Sequence, residues 1–184
     1  MSIGGVWRAL RAATAPMHAE LEAVPINRRL FSDDFSTAEL GELLGRFVTI
    51  YRPLEATLMN AEPTRSLHYM QRLPLLLKGL EALKCEVPQH DIPAPILADI
   101  PSRIGALYVV EGSTMGGQLI HRHLIFKYPP EALGFFLPHG EKTAERWRHF
   151  LAEMETCLVH SEALDSAKFG AIDTFRVFHR ALTA

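Results

Sequence analysis

The spacing of the apolar residues is the feature of this sequence that most constrains its fold. Apolar residues recur three and four positions apart along most of the chain, and strict alternation of polar and apolar residues is nearly absent. The first pattern places apolar side chains on one face of a helix, whereas alternation is the mark of a half-buried strand. The length of 184 residues suffices for one domain with a substantial core. We therefore predict an all-α protein, a single-domain irregular helical bundle over residues 1–184.

Prolines and capping residues set the predicted helix limits. The first helix is predicted over residues 5–23, and Pro16 either kinks it or begins a second segment that Thr14 caps. The second helix is predicted to begin after Ser36, where Glu39 completes a capping box. Further elements are expected as follows: a bend of the second helix at Pro53, a helical region over 66–84 with a break or restart at Pro74, a loop over 86–95, and helices over 102–128, 132–136, 141–161 and 165–181.

Composition excludes several classes of function. The formal net charge is −2 and the 19 Lys and Arg residues are spread along the chain, so we expect no binding to nucleic acid. No charge-free apolar run reaches the roughly 18 residues needed to cross a bilayer, and the start of the chain does not resemble a signal peptide. Cys85 and Cys157 are too isolated for a disulfide framework. We therefore predict a cytoplasmic protein with reduced thiols and no membrane partner.

His18 is a candidate ligand on the first predicted helix. It shares the apolar face of that helix, and a histidine there is usually a core or boundary residue whose ring is hydrogen-bonded. Arg11 lies seven residues earlier, close to two turns, so the two side chains point to nearly the same side at a separation of roughly 10 Å. A neutral imidazole binds iron, and an arginine at that distance suits an anionic group on the edge of the same ligand. An arginine on the rim of a buried face is the alternative.

Three glycines interrupt the helix predicted over residues 102–128. Gly112, Gly116 and Gly117 each cost about 1 kcal/mol relative to alanine in a helix. Two explanations stay open: close packing against another helix, or a bare strip pressed against a planar ligand with Ser113 near the reacting position. A nucleotide loop is disfavoured because no strand precedes the glycines and no Lys-Ser/Thr follows them. Glu111 is predicted to turn away from the strip, toward a partner or solvent.

Other histidines give weaker signals. His121 and His123 are two apart and so point to different sides of a helix, which makes joint metal binding unfavourable. The remaining histidines have no partner at ligand spacing; they are His68, His90, His139, His149, His160 and His179. The chain also lacks the paired Glu-x-x-His units of a di-iron bundle and the Gly-x-Ser-x-Gly motif of a hydrolase.

Together these segments resemble the heme oxygenase family, and its bacterial members in particular. Residues 10–18, LRAATAPMH, are similar to the family's proximal segment, whose histidine binds the heme iron. Residues 108–118, YVVEGSTMGGQ, are similar to its distal helix. Residues 47–55, FVTIYRPLE, resemble the segment that supplies a tyrosine to the distal pocket. The resemblance extends from about residue 5 to residue 181, and the distal motif is its most specific part.

The resemblance implies a set of site residues. His18 would be the axial ligand of the heme iron, and Gly112 and Gly116 would let the distal helix lie close to the heme. Arg11 and Tyr108 would hold the heme propionates. Phe175 would form part of the pocket wall, and Tyr51 would join a hydrogen-bonded water network. Ser113 stands where the best-known animal members have an aspartate that organises proton delivery. Several bacterial members also lack this aspartate and use backbone groups and ordered water. The chain ends at Ala184 without the apolar anchor of the animal forms.

The implied activity is cleavage of heme, both substrate and cofactor, to biliverdin, CO and ferrous iron. It consumes O2 and electrons from a donor such as a ferredoxin or a flavin reductase. Arg28 and Arg29 are basic residues that either dock an acidic donor or belong to a solvated loop. Two alternatives remain: a heme-binding or heme-sensing protein of the same fold without turnover, which Ser113 favours, and a bundle that binds no heme, in which His18 and the glycines serve packing alone.

Overall fold

Helices make up nearly all the regular structure of this chain. The structure is a computed structural model that describes residues 4–59 and 67–184, and within these residues it contains helices and no strand. The α-helices are α1 (Gly5–Ala23), α2 (Pro25–Arg29), α3 (Thr37–Leu58), α4 (Leu73–Leu83), α5 (Ile100–Leu124), α6 (Pro130–Leu133), α7 (Thr143–Cys157) and α8 (Ser161–Thr183). Short 3₁₀ segments follow α6 at Gly134–Phe136 and precede α7 at Gly140–Lys142. The all-α prediction is confirmed.

The first two long helices begin and continue much as predicted. Pro16 lies inside an uninterrupted α1, and the Thr14 hydroxyl donates to the Leu10 carbonyl at 2.8 Å. Thr14 therefore lies within the helix and does not cap a second segment. The predicted capping box of α3 is present: the Glu39 N–H donates to the Ser36 hydroxyl, and the Ser36 N–H donates to the Glu39 carboxylate.

Helix α4 is shorter than predicted. Residues 67–72 are not helical, and residue 66 lies outside the described part of the chain. Pro74 stands in the first turn of α4, where a backbone N–H would have no acceptor within the helix. The N–H that proline lacks therefore costs no hydrogen bond, and Pro74 marks the start of the helix and not a break. The Glu55 carboxylate accepts from the backbone N–H groups of Arg72 and Leu73 and thereby caps this start.

Other helix limits differ by a few residues. Helix α5 begins earlier than predicted because Asp99 and Ser102 form a second capping box, and it ends at Leu124. Helix α7 is shorter and α8 longer than expected. The short helix α2 was not predicted, and Pro25 occupies its first turn.

Within the described residues, the most extensive helix contact is that between α5 and α8. Helix α5 also contacts α7, while α1 and α3 pack on α8 as well. The α5–α8 contact is close because Gly105 and Gly170 face it: a Cβ on Gly105 would stand 1.9 Å from the Ala167 carbonyl oxygen. Within residues 4–59 and 67–184, no helix is both long and apolar enough to traverse a membrane. That residues 1–184 form one domain stays a prediction.

Candidate active site

A large cavity opens between α1, α3, α5 and α8. Its volume is about 990 Å³, at the upper end of the roughly 300–1,000 Å³ usual for small-molecule pockets, and most of its lining is apolar. All the site residues expected from the sequence line it: Arg11, His18, Tyr51, Tyr108, Gly112, Ser113, Gly116 and Phe175. The structure thus brings together groups that lie up to 164 positions apart in the chain.

His18 projects from α1 along the cavity. Its side chain is 60% exposed although its neighbours on the same face, Leu10 and Thr14, are buried. The ring lies edge-on to Phe175, with centroids 5.9 Å apart. Its Nδ1 atom lies 3.5 Å from a carboxylate oxygen of Glu22, one turn later. A carboxylate beside one ring nitrogen orients the imidazole, so the other nitrogen is the one available to a ligand.

Polar groups gather at one part of the cavity around Arg11 and Tyr108. The Arg11 guanidinium lies over the Trp7 ring, 5.5 Å from its centroid. The Tyr108 ring lies 5.8 Å from that of Trp147. Burial raises the pKa of Tyr108, and the Thr14 hydroxyl and the positive charge of Arg11 partly offset this rise. Tyr108 is therefore a neutral donor near neutral pH, and Arg11 is a permanent cation, a pair suited to the carboxylates of a ligand.

The three glycines of α5 serve different purposes. A Cβ on Gly117 would stand 2.3 Å from the Phe136 carbonyl oxygen, so Gly117 permits close packing of α5 on the 3₁₀ segment. A Cβ on Gly116 would meet nothing within 4 Å, and one on Gly112 would reach only the edge of the Trp147 ring at 3.4 Å. Close packing therefore explains Gly117, whereas Gly116 faces open space. That a planar ligand fills this space stays a prediction.

Tyr51 and Ser113 form the hydroxyl pair of the cavity. Ser113 is exposed to the cavity and donates to the Val110 carbonyl at 2.7 Å. Tyr51 is 1% exposed and lies within hydrogen-bonding reach of the Ser113 hydroxyl. Burial raises the pKa of Tyr51 well above its ordinary value, and the positive charge of Arg72 opposes this only in part. Tyr51 consequently stays protonated and keeps a hydrogen to donate.

A buried ionic cluster lies behind these hydroxyls. Glu111 turns away from the glycine strip, as predicted, and its partner is Arg72, whose Nη2 donates to Oε1 at 2.8 Å. The pair is buried, with 1% and 5% of the two side chains exposed. His139 also contacts both groups. The sequence gives no local signal of this cluster, because its contacts join residues 28 to 67 positions apart. Of the three residues, only Arg72 lines the cavity.

Aromatic lining residues were also missed. They are Trp7, Phe31, Phe47, Phe135, Phe136, Trp147 and Phe178. Phe178 follows Phe175 by three positions and so shares its face of α8, which is a signal that the sequence does contain. Trp147 of α7 carries no such signal, because its role depends on the packing of α7 on α5.

Arg28 and Arg29, which were considered as a docking site for the electron donor, have different surroundings. Arg29 is engaged within the molecule: its Nε and Nη1 lie 2.8 Å from Glu39 and Asp34. Arg28 is exposed and lines the cavity together with Asn27. A docking role is therefore compatible with Arg28, whereas the side chain of Arg29 already has acidic partners.

The cavity fits an iron porphyrin. Its size and apolar lining suit a flat tetrapyrrole, and Gly116 leaves room on α5 that a side chain would fill. The exposed imidazole of His18 is a group of the kind that binds iron, and Arg11 and Tyr108 are groups of the kind that pair with carboxylates. Heme is the group that uses all of these features at once.

Comparison with known proteins agrees with this geometry. The family model for heme oxygenase matches residues 6–184. A heme oxygenase of Xanthomonas campestris pv. campestris is 36% identical over 118 residues, which cover 63% of this chain and 70% of that protein. The fold is similar to crystal structures of the NO- and CO-bound heme oxygenase from Neisseria meningitidis, with a TM-score of 0.79 and 22% identity over 96% of this chain and 89% of that one. This chain therefore belongs to the heme oxygenase family and is an enzyme of heme degradation, with heme as both substrate and cofactor.

Proposed function

We propose that this enzyme cleaves heme to biliverdin, CO and ferrous iron, using O2 and electrons from a ferredoxin or a flavin reductase. The observation that carries the proposal is a single cavity that holds both the exposed His18 ring and the open strip at Gly116. Bound heme supplies the iron at which O2 is reduced and the ring that is opened, and the protein supplies placement and electrostatics.

His18 is proposed as the axial ligand of the iron. The Glu22 carboxylate near Nδ1 orients the ring, which leaves Nε2 to bind iron. Phe175 limits the rotation of the imidazole from one side. His18 would thus be the proposed protein ligand of the iron, and bound heme would supply the chemistry of O2 activation.

Arg11 and Tyr108 are proposed to hold the propionates and so fix the rotation of the ring. Arg11 contributes charge and Tyr108 a neutral donor at the same part of the cavity. The positions of these two residues would set the orientation of a bound heme, and a misplacement of about 1 Å is enough to alter reactivity strongly. These two residues therefore act on the regiochemistry of the product.

The distal side is proposed to consist of Gly112, Gly116, Ser113 and Tyr51. The glycines would let the backbone of α5 lie close to a bound heme. Ser113 donates its hydrogen to Val110, so its oxygen is free to accept from Tyr51 or from water. Tyr51 stays protonated and orders water that carries protons to the reacting side.

The test is to mix the purified protein in air with hemin and NADPH, together with either a flavin reductase or a ferredoxin and its NADPH-dependent reductase. We expect the absorption spectrum of biliverdin together with release of CO. A ferrous heme complex that stays intact under O2 would contradict turnover and favour the heme-binding alternative.

His18→Ala tests the heme site itself, with exposed His149→Ala as the matched control. We expect His18→Ala to abolish the normal iron ligation seen in the optical spectrum and His149→Ala to retain it. Unchanged hemin absorbance in His18→Ala would favour a bundle in which His18 has a packing role alone.

A further inference from the structure

The first turn of α1 is held by a residue from the other half of the chain. Two backbone N–H groups of this turn donate to the carboxylate of Glu155 on α7, Val6 at 3.3 Å and Trp7 at 3.0 Å. Gly4, which precedes the helix with a left-handed backbone, has no side chain to accept these hydrogens. A local capping side chain ordinarily binds N–H groups at these positions. Glu155 therefore supplies from another helix the cap that α1 lacks.

The negative charge of Glu155 strengthens this contact. The N-terminal end of a helix carries a partial positive charge, and the first turn of α1 contains no acidic residue of its own. Helices α1 and α7 also pack against each other. The two hydrogen bonds and the charge therefore fix where α1 begins relative to α7.

Trp7 connects this contact to the cavity. Its N–H is bound by Glu155, and the guanidinium of Arg11 lies over its ring, 5.5 Å from the centroid. Trp7 and Arg11 both line the cavity, whereas Glu155 lies outside its lining. The attraction between a cation and the face of an aromatic ring favours the arginine conformers that lie over the indole. The place of the Arg11 charge therefore depends on where the backbone of Trp7 is held.

Helix α7 also supports the second polar group of the cavity. The ring of Trp147 lies 5.8 Å from that of Tyr108, between centroids. Trp147 is stacked on Phe150 of the same helix, with the two ring planes 10° apart. A straight helix places residues 147 and 155 about 12 Å apart along its axis. Helix α7 thus contacts Tyr108 directly and Arg11 through Trp7.

We propose that Glu155 is a positioning residue, which fixes the rotation of bound heme by holding the first turn of α1 on α7. The proposal rests on the proposed function, because Glu155 acts through the contact of Arg11 and Tyr108 with the propionates. Without the carboxylate the first turn of α1 would fray, since its N–H groups lose their acceptors. The ring of Trp7 and the charge of Arg11 would then occupy several positions in place of one.

His18 should be insensitive to the same change. It lies about three turns beyond Trp7 on α1, and fraying is concentrated at the end of a helix. Its ring contacts Glu22 and Phe175, neither of which belongs to the first turn. Loss of Glu155 should therefore alter the rotation of the heme and keep its iron ligand, whereas a general loss of stability would weaken both.

The first experiment compares Glu155→Ala with Glu153→Ala by ¹⁵N NMR of the full chain without hemin. The second variant is the control, because it removes the same charge from the same turn of α7. We expect the amide hydrogens of Val6 and Trp7 to exchange with solvent about two- to tenfold faster in Glu155→Ala alone, the size of one hydrogen bond. The indole signal of Trp7 should shift with them. Unchanged exchange at both amides would overturn the proposal.

The second experiment reads the heme rotation by ¹H NMR of the ferric hemin complex with added cyanide, without any turnover. The ring methyl signals of this complex are resolved and report the populations of the heme orientations. We expect Arg11→Ala and Glu155→Ala to change the ratio of these populations about two- to tenfold, with the spectrum of His18 ligation retained. Glu153→Ala should match the unsubstituted protein. Glu155→Gln keeps the side-chain length and one acceptor oxygen, so it should give a smaller change and replaces Glu155→Ala if that variant does not fold.

The outcomes separate this proposal from the proposed function. A change in Arg11→Ala with none in Glu155→Ala would overturn the role of Glu155 and leave the proposed function standing. Loss of the His18-ligated spectrum in Glu155→Ala would also overturn that role, because it would reveal general destabilisation. An unchanged heme orientation in Arg11→Ala would contradict the propionate contact itself, and with it the effect of Glu155 on the heme. In that case exchange at the first turn of α1 still decides whether Glu155 holds the helix.

Discussion

Two parts of helix α5 contain glycine for opposite reasons. At Gly105 and Gly117 an added Cβ would stand 1.9 and 2.3 Å from backbone oxygen atoms of neighbouring segments. At Gly116 it would meet nothing within 4 Å. The first two glycines are needed because another part of the chain is already there, whereas Gly116 is surrounded by space that the protein itself does not fill. A glycine in a helix that nothing contacts is therefore better evidence for a ligand than one that is tightly packed.

The largest effect on stability is expected at Glu111, which also lies on α5 but contacts neither the packed glycines nor the open strip. Glu111→Gln would leave the buried Arg72 without its counter-charge, and removal of one partner of a buried ion pair typically costs about 3–5 kcal/mol. Urea unfolding monitored by circular dichroism measures the loss. The exposed Glu145→Gln serves as control and should change little. A loss below about 1 kcal/mol in Glu111→Gln would mean that the pair is hydrated in solution.

The packed glycines come next. In Gly105→Ala the new methyl group collides with the Ala167 carbonyl, so α5 and α8 must separate. Overpacking of this kind costs about 1–3 kcal/mol, which exceeds the gain in helix propensity. The free energy of unfolding should fall accordingly. A variant as stable as the unsubstituted protein would break the comparison, because it would show that the α5–α8 contact is not close.

Gly116→Ala should have a smaller effect of the opposite sign. Nothing opposes the methyl group in the protein without heme, so the free energy of unfolding should rise by up to about 1 kcal/mol. Gly116→Leu sharpens the comparison. It should also fold, yet weaken hemin binding by about tenfold or more, equivalent to about 1.4 kcal/mol, because its side chain occupies the cavity. Unchanged hemin affinity in an optical titration would show that the open strip does not face the heme.

The smallest effect is expected far from α5, in the capping box of α3. Hydrogen bonds from Arg29 and from the backbone and hydroxyl of Ser36 lower the pKa of Glu39 from 4.5 to about 2. Because the folded-state pKa is depressed, its contribution to stability is present above about pH 4.5 and is lost as the pH falls toward 2. Glu39→Gln should therefore be slightly less stable than the unsubstituted protein at pH 7, with the difference vanishing in acid. A difference that persists at low pH would show that the ionised carboxylate is not its source.

Much of the site was predictable because it lies in short segments with clear spacing. Arg11 and His18 are two turns apart on one helix, and residues 108–118 contain the distal glycines in one run. Local capping was also predictable at Ser36, where both residues of the box lie in one turn. By contrast, the helix expected over 66–84 begins only at Leu73, because the carboxylate that caps it is supplied by Glu55 of α3.

The sequence by itself determined the helical class, the faces of the long helices and the segments that resemble the family, because these depend on residues within a few turns of one another. The tertiary structure alone decided which glycine packs and which faces a cavity, and it joined His139 to Arg72 and Glu111. The physical reason is the range of the interactions. Helix propensity and capping act over neighbouring residues, whereas close backbone contact and burial of charge depend on segments that meet only when the chain has folded.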